Sequence, residues 1–313
     1  MRSKSHPTVD TVAFAEACRL AREPSREGIG TLSERVLHRA LKLYIEPNAA
    51  HHEQDLCGCV VDILNSDGVT EVQTRSLDRL APKLKRLLPT TPVTVVYPIA
   101  IRRSLAWIDP TSGESTKPRT APRKGRPSDA LTELCSLTEF LRHENLRVLL
   151  FLISTDEFKE KSGKGKDGKK WAQRLERIPT ALHGIIELVC PEDYLRLLPD
   201  SLLSSLGLLP PPIDRSESQS GNNQPTKKAE CNNPTPDQFT TKAECRSQIT
   251  EPLAAKVQSH PTAEPQGFTA AEFYRATALR TRRAYYALKL LCDLGVLKRE
   301  KRGRAYYYMY DMC

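Results

Sequence analysis

The sequence predicts a mixed α/β fold in two unequal parts: an α+β core on a mixed sheet over residues 31–209, and a small basic helical domain over residues 267–313. Three observations predict it. Before residue 210, short apolar runs rich in β-branched residues alternate with stretches of helical period. Over residues 210–266 Pro, Asn, Gln, Ser and Lys accumulate and Phe239 is the only aromatic residue, the composition of a disordered linker. Beyond it helical spacing returns, followed by two strand-like segments around a basic turn.

The elements follow in order. Val9 to Arg22 has helical spacing and stops before Pro24, so it reads as a short amphipathic appendage on an N-terminal tail of residues 1–30. Thr31 can cap LSERVLHRALKLYI, whose inward stripe is Leu37, Ala40, Leu41 and Tyr44 and whose end is Pro47. HEQDL, CVVDIL and VTEVQT are three short strands, the last two joined by NSDG with an Asp-Gly hairpin signal. LDRLAPKLKRLL is a helix bent at Pro82, and PVTVVYPIAI is a buried strand. SLAWIDPTSGEST is a further strand and turn, and KPRTAPRKGRPSD a basic loop. Asp129 to His143 is helical and LRVLLFLIST a buried strand. FKEKSGKGKDGKKWAQRLER is then a basic excursion, HGIIELVC a strand, and PEDYLRLLPDSLLSSL a short helix opened by proline.

Composition narrows the class of function. A formal net charge of +9 on 313 residues favours an anionic partner, with DNA the first candidate. No apolar run approaches the roughly 18 residues needed to cross a bilayer, and the first twenty residues lack a secretory apolar region, so a cytoplasmic protein without a membrane partner is expected. The nine cysteines are scattered, and Cys57 and Cys59 stand one residue apart where zinc sites use two to four, so reduced and mostly buried thiols are expected. His51 and His52 are adjacent at a strand start and point to opposite faces, which removes them as a metal pair.

The informative cluster is acidic. An Asp67-Gly68 loop would pair Ser66 with Val69, Leu64 with Glu71 and Asp62 with Gln73. Asp62 and Glu71 then lie on a cross-strand diagonal of roughly 7 to 8 Å, which one hard divalent cation with its waters can bridge. Glu34, three and seven residues before Leu37 and Leu41, falls on or beside the apolar stripe of its helix and needs a partner there. A cation held so would activate water and stabilise a phosphoryl oxygen. A plainer reading also fits, in which Asp62 answers Arg75, Glu71 and Gln73 line a solvated strand face, and Glu34 is a surface charge.

Glu34 on a first helix, Asp62 near a hairpin and Glu71 with Gln73 on the next strand resemble the PD-(D/E)XK nuclease superfamily, over roughly Thr31 to Ile101. The resemblance implies a restriction-endonuclease-like core, catalytic residues Glu34, Asp62, Glu71 and Gln73, and Mg2+ (or Mn2+) held by Asp62 and Glu71. The departure is Gln73, where that superfamily most often has lysine; glutamine can orient water but brings no charge. The stretches TLSERVLHRALKLYIEP, EVQTRSLDRLAPKL, VTVVYPI and RIPTAL are also similar to an uncharacterised bacterial family, which implies bacterial origin and no activity.

In the last domain FTAAEFYRAT is a helix, and Thr281 can cap TRRAYYALKLLCDLG, which ends at Gly295 and turns Ala284, Leu288 and Leu291 inward. Arg282, Tyr286 and Lys289, with Arg280 and Arg283 at the start, form the outward face expected in a major groove. VLKRE and AYYYMYD flank the turn KRGR, so Lys298, Arg299, Lys301, Arg302 and Arg304 would face phosphates. The pattern resembles bacterial winged helix-turn-helix domains over about 45 residues, although no clear first helix is legible and the domain must be abbreviated or borrow one. The resemblances together imply a metal-dependent nuclease recruited to DNA or, alternatively, an inactive nuclease-like scaffold that binds DNA as a regulatory protein. The oligomeric state stays open, a homodimer included.

Overall fold

The computed structural model describes residues 8–23, 35–109, 112–164, 170–208 and 267–311. Among them the elements run α1 (Thr11–Arg22), α2 (Val36–Ile45), β1 (His52–Leu56), β2 (Cys59–Asn65), β3 (Gly68–Val72), α3 (Ala81–Leu87), β4 (Val93–Ile108), β5 (Arg119–Thr120), α4 (Asp129–Leu134), β6 (Leu146–Lys164), β7 (Lys170–Leu188) and α5 (Asp200–Ser205). The last part adds β8 (Phe268–Thr269), α6 (Ala270–Thr277), α7 (Thr281–Asp293), β9 (Leu297–Arg302) and β10 (Ala305–Tyr310). The expected order of helix, three strands, helix and strand is observed, in a mixed α/β architecture.

The main sheet has the order β1-β2-β3-β4-β6-β7, with β5 against β4. β1, β2 and β3 form an antiparallel meander, β3, β4 and β6 run parallel, and β7 returns antiparallel to β6. Both faces are covered, because successive strand residues point to opposite sides. Val93, Val95, Val148 and Leu150 face a core shared with α3 and α4, whereas Val96, Leu149, Phe151 and Ile153 face α1 and α2.

Several expectations need correction. The first helix is no appendage: Asp10 caps it, and Phe14, Cys18 and Ala21 are buried against α2 and the sheet, with Phe14, Tyr44 and Phe151 meeting edge to face. Pro82 opens α3 after a 3-10 turn instead of bending it, as suits a residue with no N–H to donate. The stretch after Ile101 continues β4, and the basic excursion extends β6 and β7 into strands of 19 residues each. Strand ladders thus outrun the apolar pattern used to bound them. The helix expected to reach His143 is α4 plus a 3-10 turn ending at Leu137. Among the described residues six cysteines are free, but only Cys18 is buried. The linker and Glu34 lie outside the described residues.

The C-terminal module is not a separate bead. β8, β10 and β9 form its three-stranded sheet, and its helices pack on the first part: α4 lies against α7 and α5 against α6. Leu131, Leu134, Leu202 and Leu203 join Phe273, Leu288 and Leu291 in one continuous apolar core. Cys135 Sγ donates to the Tyr286 carbonyl at 3.3 Å, and Arg126 Nη1 to the Ala276 carbonyl at 3.3 Å. The surface on which α6 and α7 rest is thus supplied by α4 and α5.

Candidate functional site: an acidic pair and a basic face

The β2–β3 hairpin differs in register from the one expected of an Asp67-Gly68 loop. Its pairs are Asn65–Gly68, Leu64–Val69 and Ile63–Thr70, so Ser66 and Asp67 form the loop. The Asn65 side chain accepts from the Asp67 N–H at 3.0 Å and closes the turn one residue early. Gly68 is needed for another reason: its φ is +110°, and a Cβ there would stand 2.4 Å from the Pro92 carbonyl on the way into β4.

One further step in this register would set Asp62 opposite Glu71, but the ladder stops at Ile63–Thr70. Beyond that point side chains take over. The Val72 N–H donates to Asp62 Oδ2 at 2.7 Å, and His38 of α2 stands 3.4 Å from the same oxygen. Lys83 of α3 donates to both Glu71 oxygens at 2.8 Å and to the Val60 carbonyl at 2.7 Å, stitching β3 to β2 where the backbone bonds end. The two carboxylates are therefore met by helices from opposite faces of the sheet.

Electrostatics separate them. Burial and the Asp62 charge push the Glu71 carboxyl up to about 7, against Lys83 and the Asp62 N–H, which pull it down. For Asp62 burial also acts upward, but the hydrogen bond and charge of His38, the Val72 N–H and the charge of Lys83 outweigh it and hold the carboxyl below its ordinary value. Glu71 is fully buried. Both of its oxygens accept from the Lys83 ammonium. Among the described residues no three His, Cys, Asp or Glu side chains gather as a metal site. As arranged, both Glu71 oxygens are engaged by Lys83, so Asp62 and Glu71 would hold Mg2+ only with that ammonium moved aside. Gln73 sits at the end of β3, its N–H on the Val96 carbonyl at 2.9 Å, and Tyr97 donates its hydroxyl to the Arg75 carbonyl.

Sequence reasoning missed Lys83 and His38. The signal for Lys83 was present: Glu71 lies between Val69 and Val72 in a strand buried on both faces, so it required a cation, and Lys83 directly precedes the inward Leu84.

The basic face is legible in the structure residue by residue. Arg280 precedes α7, which starts at Thr281 without a side-chain cap. Arg282, Tyr286 and Lys289 are exposed, with Arg282 over the Tyr286 ring and Lys289 paired to Asp293 at 2.6 Å. Arg283 is exposed as well, and its charge draws down the Glu133 carboxyl of α4, which burial raises. In the hairpin Lys301 and Arg304 are exposed, whereas Arg302 lies over Tyr307, 3.0 Å from Met309 Sδ and 3.6 Å from Glu300. Arg299 covers Tyr306 at 4.6 Å.

The region that carries this sheet is similar to known sequences whose own function is open. Residues 35–189 match a family described as a domain of unknown function (DUF8091). An uncharacterized protein of Treponema pallidum (strain Nichols) is 35% identical over 150 residues, which cover 48% of this chain and 59% of that protein. The chain thus spans under two thirds of that relative's length. No solved structure gives a significant match, and no helix among the described residues is long and apolar enough to cross a membrane.

Proposed function

We propose that this chain is a DNA-binding regulatory protein in which a winged helix is fixed on a nuclease-like scaffold. The observation that carries the reading is what the docking leaves uncovered. The inner side of α7 is spent on α4 and the shared core, while Arg280, Arg282, Tyr286, Lys289, Lys301 and Arg304 all remain exposed on the module. That is the disposition a major-groove helix and a phosphate-facing wing require. The acidic pair supports scaffold over catalyst, since Glu71 is closed to solvent and occupied by Lys83.

Truncation after residue 266 is a poor test, because it would bare Leu131, Leu134 and Leu202. Substitution is better. With a labelled duplex, Arg282→Ala, Lys301→Ala and Arg304→Ala together should weaken binding to all sequences and lower the salt slope by about 0.9 for each phosphate no longer neutralised. Unchanged affinity and slope in the triple variant sink the proposal.

A second reading, Mg2+-dependent phosphodiester cleavage, keeps one observation in its favour. Lys83 supplies beside Glu71 and Asp62 the charge that Gln73 lacks. Magnesium- or manganese-dependent nicking that disappears in Glu71→Gln, together with metal-induced stabilisation confined to the parent, would replace the scaffold reading with this one.

A further inference from the structure

Seven of the chain's ten tyrosines fall between residues 267 and 313. Tyr308 is buried there, but Tyr285, Tyr286 and Tyr306 are 53%, 40% and 47% exposed, and they make up three of the seven large apolar or aromatic side chains exposed among the described residues. Given the DNA-binding reading above, on which this rests, we infer that the DNA taken by the module carries unpaired bases beside a duplex, and that these stack on Tyr306 of the β9–β10 hairpin and Tyr285 of α7.

Three features point there, and the first is register. In the β9–β10 ladder Tyr306 pairs with Lys301, Tyr308 with Arg299 and Tyr310 with Leu297, so these side chains share one face of the hairpin. Tyr308 and Leu297 are buried on that face, with Tyr308 stacked on Phe268. Tyr306 and Lys301, one step nearer the turn, carry the face past the edge of the core into solvent. Cation placement is the second feature. Arg299 lies over the Tyr306 ring at 4.6 Å, and Lys301 is its cross-strand neighbour. A guanidinium on one side steadies the ring and leaves the other side for a base, with cations at hand for the phosphates that flank it. Tyr285 looks toward the same hairpin. It lies two helical turns from Cys292 on one side of α7, and the Cys292 thiol, raised by burial, is drawn down by the Arg299 charge. Charge balance is the third. Residues 267–313 carry ten Lys and Arg against four Asp and Glu, two thirds of the chain's net charge of +9, which favours a polyanion over a protein surface. An intact duplex offers phosphates and base edges, because its base faces are stacked on one another. Aromatic rings gain a stacking contact where bases are unpaired.

Fluorescence anisotropy on the full chain tests this with a labelled blunt duplex and the same duplex carrying a single-stranded tail of about ten thymines at one end or the other. At least one tailed duplex should bind about tenfold or more tighter than the blunt one. Tyr306→Ala and Tyr285→Ala together should remove most of that gain and leave blunt-duplex affinity unchanged. Tyr306→Phe with Tyr285→Phe, which keeps both rings, should retain the gain. Equal affinity for blunt and tailed duplexes overturns the inference and leaves the duplex-binding reading standing, as does a double-alanine loss of the same size on both. If neither kind of DNA binds, the inference and that reading fall together. A concentration-dependent dimer on gel filtration that the alanine pair dissociates, with no preference for tailed DNA, would also overturn it and assign the tyrosines to a second copy of this chain.

Discussion

At the scale of single residues, the consequence of greatest weight is that a carboxyl buried beside a lysine titrates near neutrality. Glu71 ionises at 4.5 in an ordinary setting and at about 7 here. Its folded value is the higher one, so between those two pH values the folded chain holds a proton that the unfolded chain has released. Stability therefore falls as pH rises through the window, by about 3 kcal/mol in all. Glu71→Gln removes that fall: denaturant melts in metal-free buffer should match the parent at pH 5 and exceed it at pH 8. Equal pH dependence in parent and variant would show that Glu71 is not the group titrating. Lys83→Met strips away the opposing cation, and the same melts should show the fall displaced to higher pH. Asp62 works in the opposite sense. Its folded value lies below the ordinary one, so its contribution is present above that ordinary value and is lost as pH drops through the folded one.

Among elements, α1 makes the clearest demand on experiment. Phe14 is 1% exposed and meets Tyr44, which in turn meets Phe151, so Phe14→Ala should cost about 3 to 5 kcal/mol in chemical denaturation. A loss under 1 kcal/mol would return α1 to the role of a loose appendage. Its helical period was legible in the sequence, but its burial was not, because an amphipathic stripe records that a face is apolar without recording what will cover it. The same limit explains the rest. The β2–β3 hairpin could be read from Asp67-Gly68, yet its register turned on Asn65 closing the loop and on Pro92 approaching Gly68 from a strand 24 residues later. Glu71 and Asp62 were legible as a notable pair, while Lys83 and His38 were not, since both arrive from helices on opposite sides of the sheet. Strand ends were misplaced where polar residues pair: β6 and β7 continue through Lys and Glu because an antiparallel ladder needs backbone partners, not apolar side chains.

For the whole molecule, the shared apolar core between the sheet domain and the C-terminal module predicts one cooperative thermal transition, read alike by circular dichroism and by tyrosine fluorescence. Two resolved transitions would mean that the module folds by itself. A peptide of residues 267–313 should accordingly be unstructured alone, since α4 and α5 supply the apolar surface on which α6 and α7 rest. The location of that surface changes what covalent continuity means for this protein. The link through residues 209–266 raises the effective concentration of one piece for the other, but the assembly is specified by the face made of Leu131, Leu134, Leu202 and Leu203. A chain cut once in that link should behave as a two-piece protein. The halves should co-elute on gel filtration and melt as a unit, and separately produced halves should reconstitute duplex binding when mixed.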